Sequence, residues 1–78
     1  GGVAFSTIQP DGDAAKLGFI TGDLIQEING VRIKTINDLN NYLVANSTKQ
    51  SHQISFIRNQ SSQSLHINSK LQLTTKTD

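Results

Sequence analysis

The chain has 78 residues, of which 35% are hydrophobic and 17% charged, with a formal net charge of +1. That length holds one small domain, whose core can contribute roughly 3–5 kcal/mol of stability. Seven scattered Lys and Arg against six Asp and Glu make no basic face for nucleic acid, the lack of cysteine excludes disulfide and thiolate sites, and no apolar run is long enough to cross a membrane.

In chain order, residues 3–8 (VAFSTI) predict a strand, since Val3, Phe5 and Ile8 are apolar and β-branched residues are frequent. Pro10, Asp11 and Gly12 end it in a turn. Residues 13–18 (DAAKLG) predict one to two turns of helix, with Asp13 as N-cap and Gly18 as a left-handed terminator. Residues 24–28 (LIQEI) follow as a strand, with Leu24, Gln26 and Ile28 on one face and Ile25 and Glu27 on the other. Asn29-Gly30 is a strong tight-turn dipeptide, and residues 31–33 (VRI) return from it.

Thr35 then predicts the N-cap of the main helix, over about residues 36–46, with Asp38 as its capping-box partner. Ile36, Leu39 and Leu43 form its apolar stripe. Residues 52–57 (HQISFI) predict a strand, residues 58–62 a polar hairpin loop, and residues 64–73 a last strand or two short ones. The expected core is Leu24, Ile28, Leu39, Leu43, Ile54 and Phe56. All 78 residues read as one domain, with its core over residues 3–73 and a polar tail over residues 74–78. Because the strand pattern starts with the first residues, the chain is expected to be a piece of a longer protein.

Several short strands with two helices predict a small α+β domain. The segment DGDAAKLGFITGDLIQEINGVRI, residues 11–33, resembles the central signature of bacterial PDZ domains. TINDLNNYL resembles the helix that follows it there, and HQISFIRNQSSQSLHI the closing hairpin. The resemblance spans about residues 3–67 and rests on the order and spacing of these pieces. It implies a partly open β-barrel or sandwich of about five strands, with one short and one long helix. It also implies an interaction module that takes an extended peptide, or the C-terminal segment of a protein, beside the long helix. Carried over by position, Asn37, Asn41 and Val44 would line the groove and Asn40 would stand at its rim. A solvated helix face is the alternative for each asparagine.

The chain departs from the HtrA-type pattern, in which the carboxylate-binding loop and the groove-edge strand precede the segment matching residues 3–8. Leu17-Gly18-Phe19 matches that loop in letters only. Circularly permuted domains with a reduced groove, similar to those of site-2 intramembrane proteases and of the type II secretion C-component, are one explanation. Truncation is a second, and a fold-back of residues 71–77 as edge strand, after a turn at residues 68–70, is a third.

No catalytic, metal or cofactor site is expected. His52 and His66 are the only histidines, no H-E-x-x-H or G-x-S-x-G occurs, and Asp11, Asp13 and Asp23 read as turn and cap residues. The expected role is therefore non-catalytic: a regulatory or substrate-recognition domain of a bacterial envelope protease. A protein-docking domain of a type II secretion or other envelope assembly is the alternative, and the short segment between Pro10 and Gly18 leans away from the secretion component. The expected location is periplasmic or extracytoplasmic, with membrane tethering supplied by parts of the parent outside this chain.

Overall fold

The structure, a computed structural model, describes residues 1–73, so the polar tail lies outside the described residues. The elements are β1 (Val3–Ala4), α1 (Asp13–Leu17), β2 (Leu24–Ile28), β3 (Val31–Arg32), α2 (Ile36–Ala45), β4 (His52–Arg58) and β5 (Ser61–Ile67). The strands form one antiparallel sheet in the order β1-β2-β4-β5, with β3 paired to β2. The α+β architecture is the expected one, with the sheet open and not closed into a barrel.

Local chemistry sets the turns. Asn29 (φ 51°) and Gly30 (φ 80°) both take left-handed backbone between β2 and β3. The Asn29 side chain then ties the turn down: its Nδ2 donates to Tyr42 Oη and to the Ser51 carbonyl, each at 3.0 Å, and its Oδ1 accepts from the Gln53 N–H at 2.7 Å. The β4–β5 connection is tighter than the expected five-residue loop. Arg58 pairs with Ser61, and only Asn59 (φ 52°) and Gln60 (φ 65°) turn the chain.

Both helices begin where a cap allows. Thr35 Oγ1 accepts from the Asp38 N–H at 3.1 Å, and Asp38 Oδ2 accepts from the Thr35 and Lys34 N–H groups at 3.2 and 2.9 Å, which completes the capping box of α2. At α1 the expectation fails by one residue. Gly12 is the N-cap, without a side-chain cap bond, and Asp13 is already helical, placed to favour the positive helix end. Gly18 (φ 100°) ends α1 as expected.

Two strands differ from their predicted form. β1 holds only Val3 and Ala4, although Phe5 prolongs the pairing by donating to the Asp23 carbonyl (3.0 Å) and accepting from the Gly22 N–H (2.8 Å). At its start, a Cβ on Gly2 would lie 2.6 Å from the Ile25 carbonyl oxygen, so the two backbones can approach this closely only through a glycine. β2 carries a bulge: Ile25 faces Phe56 while Glu27 faces Ser55, leaving Gln26 as the extra residue. Ile25 and Ile28, three apart, therefore share the buried face, and Leu24 is only half-buried. Simple alternation puts Ile25 and Ile28 on opposite faces.

Ile28, Leu39, Ile54 and Phe56 are buried as expected, while Leu43 is half-buried and Ile36 is half exposed. The core gains Phe19, whose ring stands between those of Phe5 and Phe56 at centroid distances of 5.1 and 5.2 Å. It also gains Tyr42 and His52. Leu71 and Leu73 are buried too, but residues 71–73 belong to no strand, and the rest of the expected edge strand lies outside the described residues.

Candidate functional site

A cleft of about 740 Å³ opens along the outer side of β1. One wall is the run of residues 3–9, one end is the turn and helix start at residues 11–14, and the facing wall comes from Ile36 and Leu39 of α2, with Leu73 beside them. Phe5 spends its N–H and C=O on the 22–23 segment beside β2, so alternation turns the peptide groups of Ala4 the other way, toward the outer edge. Among the described residues no strand pairs with that outer edge. Unpaired backbone groups of β1 thus lie beside a cleft that includes the apolar side chains of Ile36 and Leu39.

The far side of β1 is held by an ion pair. Arg58 Nε and Nη2 donate to the Asp23 carboxylate at 2.9 and 2.8 Å, and Nη2 also donates to the Gly18 carbonyl at 3.0 Å. Asp23 is 1% exposed, and its Oδ2 accepts the Ile20 N–H at 2.9 Å as well. The sequence anticipated the bond from Asp23 to its own loop, but not the partner 35 residues away. Because the Asp23 carbonyl receives the Phe5 N–H, this cluster fixes the loop on which the end of β1 rests.

The Arg58 hydrogen bonds hold the Asp23 carboxyl below its ordinary value, helped by the Ile20 N–H and opposed by burial. A carboxyl lowered in the folded state stabilises fully above its unfolded value, about 3.9. That contribution is lost as pH falls through the lower folded value. Urea unfolding from pH 7 down to pH 2 should show stability falling below about pH 4, with a shallower fall in Asp23→Asn. An unchanged acid limb in the variant would show that other groups set it.

The positions assigned from sequence lie elsewhere on α2. Asn37, Asn40 and Asn41 are exposed, and Val44 is 79% exposed. Asn41 lines a shallow depression of about 320 Å³ with Val31, Arg32 and Tyr42, on the β3 side of the helix. None of the four lines the 740 Å³ cleft. Asn40, four residues after Ile36, shares the helix side that carries Ile36. The signal that could have found the wall is Ile36 itself, an isoleucine in the first turn of a short helix, which reads equally well as core.

The two histidines have separate surroundings. His66 is exposed on β5, with its ring nitrogens against Gln53 Oε1 and Asn68 Oδ1, each at 2.9 Å. His52 is fully buried between Tyr42 Oη at 2.8 Å and the Lys49 carbonyl at 2.9 Å.

A family model described as "PDZ domain" matches residues 1–69. The chain belongs to the PDZ domain family. Among solved structures, the PDZ domain of the SdrC-like protein from Listeria innocua is 24% identical, with a TM-score of 0.69 over 87% of this chain and 75% of that one. The solution structure of a Geobacillus thermodenitrificans protein is also 24% identical, with a TM-score of 0.64 over 86% of this chain and 76% of that one. At such identities the likeness carries the fold alone. A comparison with curated proteins gives no match. In this PDZ domain β1 forms one edge of the described sheet.

Proposed function

We propose that this PDZ domain binds an extended segment of another protein as an added strand along the outer edge of β1. The observation that carries the reading is the conjunction of that edge with the apolar cleft wall formed by Ile36 and Leu39. Main-chain bonds from Ala4 would supply affinity, and the cleft would sort side chains, every second one facing α2. Asn40 would stand at the rim, while Asn37, Asn41 and Val44 form the outward surface of the helix. In the parent protein we place the domain as the regulatory or substrate-recognition module of an envelope protease, acting outside the cytoplasm. The support there is the resemblance of residues 11–33 to bacterial PDZ domains, together with the short segment between Pro10 and Gly18, which leans away from the secretion component.

Titration of the labelled domain with extended apolar peptides, followed by backbone amide shifts, tests the binding mode. The Ala4 amide should move and gain protection from exchange. If Asn41 and Val44 move while β1 stays still, the domain docks partners on the outer face of α2, as an assembly domain would.

A further inference from the structure

Two routes lead from Arg58 to Phe5, the residue that follows β1. One runs through hydrogen bonds. Arg58 Nε and Nη2 hold the two oxygens of the buried Asp23 carboxylate at 2.9 and 2.8 Å, and the Asp23 carbonyl takes the Phe5 N–H at 3.0 Å. The neighbouring Gly22 N–H donates to the Phe5 carbonyl at 2.8 Å. The other runs through rings. The Arg58 guanidinium lies 5.3 Å from the centroid of the Phe56 ring, and Phe56, Phe19 and Phe5 follow one another at centroid distances of 5.2 and 5.1 Å. β1 is two residues long, and its ladder to β2 holds only Val3 and Ala4. The way the Ala4 peptide groups face therefore depends on how Phe5 is held. Arg58 itself does not line the cleft.

From this convergence we infer that Arg58 is a positioning residue for peptide capture, fixing the β1 edge from behind, through Asp23, without touching the ligand. The inference rests on the strand-addition reading and adds the residue that sets its strength. Lysine cannot take over the role. The guanidinium spans both carboxylate oxygens and reaches the Gly18 carbonyl at 3.0 Å, whereas an ammonium is a single point of charge on a flexible stem. Arg58→Lys leaves a cation beside Asp23, so the buried carboxylate keeps a partner, but it loosens the loop that carries Phe5. An edge that must be ordered as the peptide arrives binds more weakly than one already in place.

The probe is a short acetylated and amidated peptide of alternating valine and threonine, titrated into the labelled 78-residue chain and into Arg58→Lys. Affinity read from the Ala4 amide shift should fall about tenfold in the variant, within the range usual for coupled sites. Without peptide, the Phe5 and Gly22 N–H groups should exchange faster in the variant, while the Asn29 N–H, bonded to the Gln53 carbonyl at 2.8 Å, should change far less. A general brace would speed all three alike and leave the affinity of the folded molecules unchanged. Coupling is reciprocal, so saturating peptide should also slow exchange of the Arg58 Nε–H in the unaltered chain, a readout that needs no variant to fold. Affinities within about twofold of each other, equal acceleration of the three amides, or an Arg58 Nε–H indifferent to peptide, with β1 amides still shifting, would each overturn the positioning role and leave strand addition standing. Absence of any β1 shift in the unaltered chain would remove strand addition, and the positioning role with it.

Discussion

Leu39→Ala should abolish most of the domain's stability. Leu39 is 1% exposed and faces the sheet from the first turns of α2, among the residues that close the core. Truncating a buried leucine costs about 2–5 kcal/mol, because the transfer free energy is lost and the cavity relaxes only in part. A domain this small has roughly that much in total. Urea unfolding at neutral pH should find much of the variant unfolded without denaturant, whereas Leu39→Met, close in volume, should stay folded. A loss below about half a kcal/mol would mean that α2 does not pack through this side chain. Leu39 also lies beneath the cleft, so under the proposed strand addition any folded fraction should bind peptides poorly.

His52→Ala is the second large loss. The Lys49 carbonyl can only accept, so His52 Nε2 carries a proton and donates to it. With that proton on Nε2, Nδ1 accepts from the Tyr42 hydroxyl, whose oxygen accepts from Asn29 Nδ2. Burial pushes the Tyr42 hydroxyl up from its ordinary value, keeping it protonated and able to donate. The chain of bonds from Asn29 to Lys49 therefore runs in one direction with every group satisfied. Removing the ring leaves a cavity and strips partners from two polar groups, each costing about 1–3 kcal/mol. A total of about 3 kcal/mol or more is expected in denaturant unfolding. Tyr42, the sole tyrosine of the sequence, supplies a local fluorescence probe. A loss under about 1 kcal/mol with unchanged Tyr42 emission would mean that the chain of bonds does not stabilise the fold.

What the sequence made legible was what neighbours in sequence decide. Asn29-Gly30, the Thr35–Asp38 capping box and the Gly18 stop each depend on residues within a few positions, and each is found. What escaped depends on partners far along the chain. The Gln26 bulge exists only against β4, so alternation within β2 set Ile25 and Ile28 on opposite faces when they share one. Nothing near Asp23 announces Arg58, and His52 reads as a polar strand residue until Tyr42 is brought against it. The cleft follows the same rule. Periodicity gives the spacing of residues on α2 but not which of its sides meets β1: Ile36 and Leu39 line the cleft, and Asn37, Asn41 and Val44 do not.

The anchoring of Asn29 also bears on how the polypeptide ages. An asparagine followed by glycine readily cyclises to a succinimide, with loss of ammonia, when its side-chain carbonyl carbon reaches the next peptide nitrogen, and water then opens the ring to aspartate or isoaspartate with a net gain in mass. Here the amide is held by Tyr42 and Ser51 through its nitrogen and by Gln53 through its oxygen, so the folded chain denies the side chain the rotation that ring closure needs. Deamidation is thereby confined to molecules that have come apart. Mass gain at Asn29 over weeks of storage would serve as a slow clock of the unfolded fraction, and substitutions that loosen the turn would shorten shelf life before they measurably changed the melting temperature.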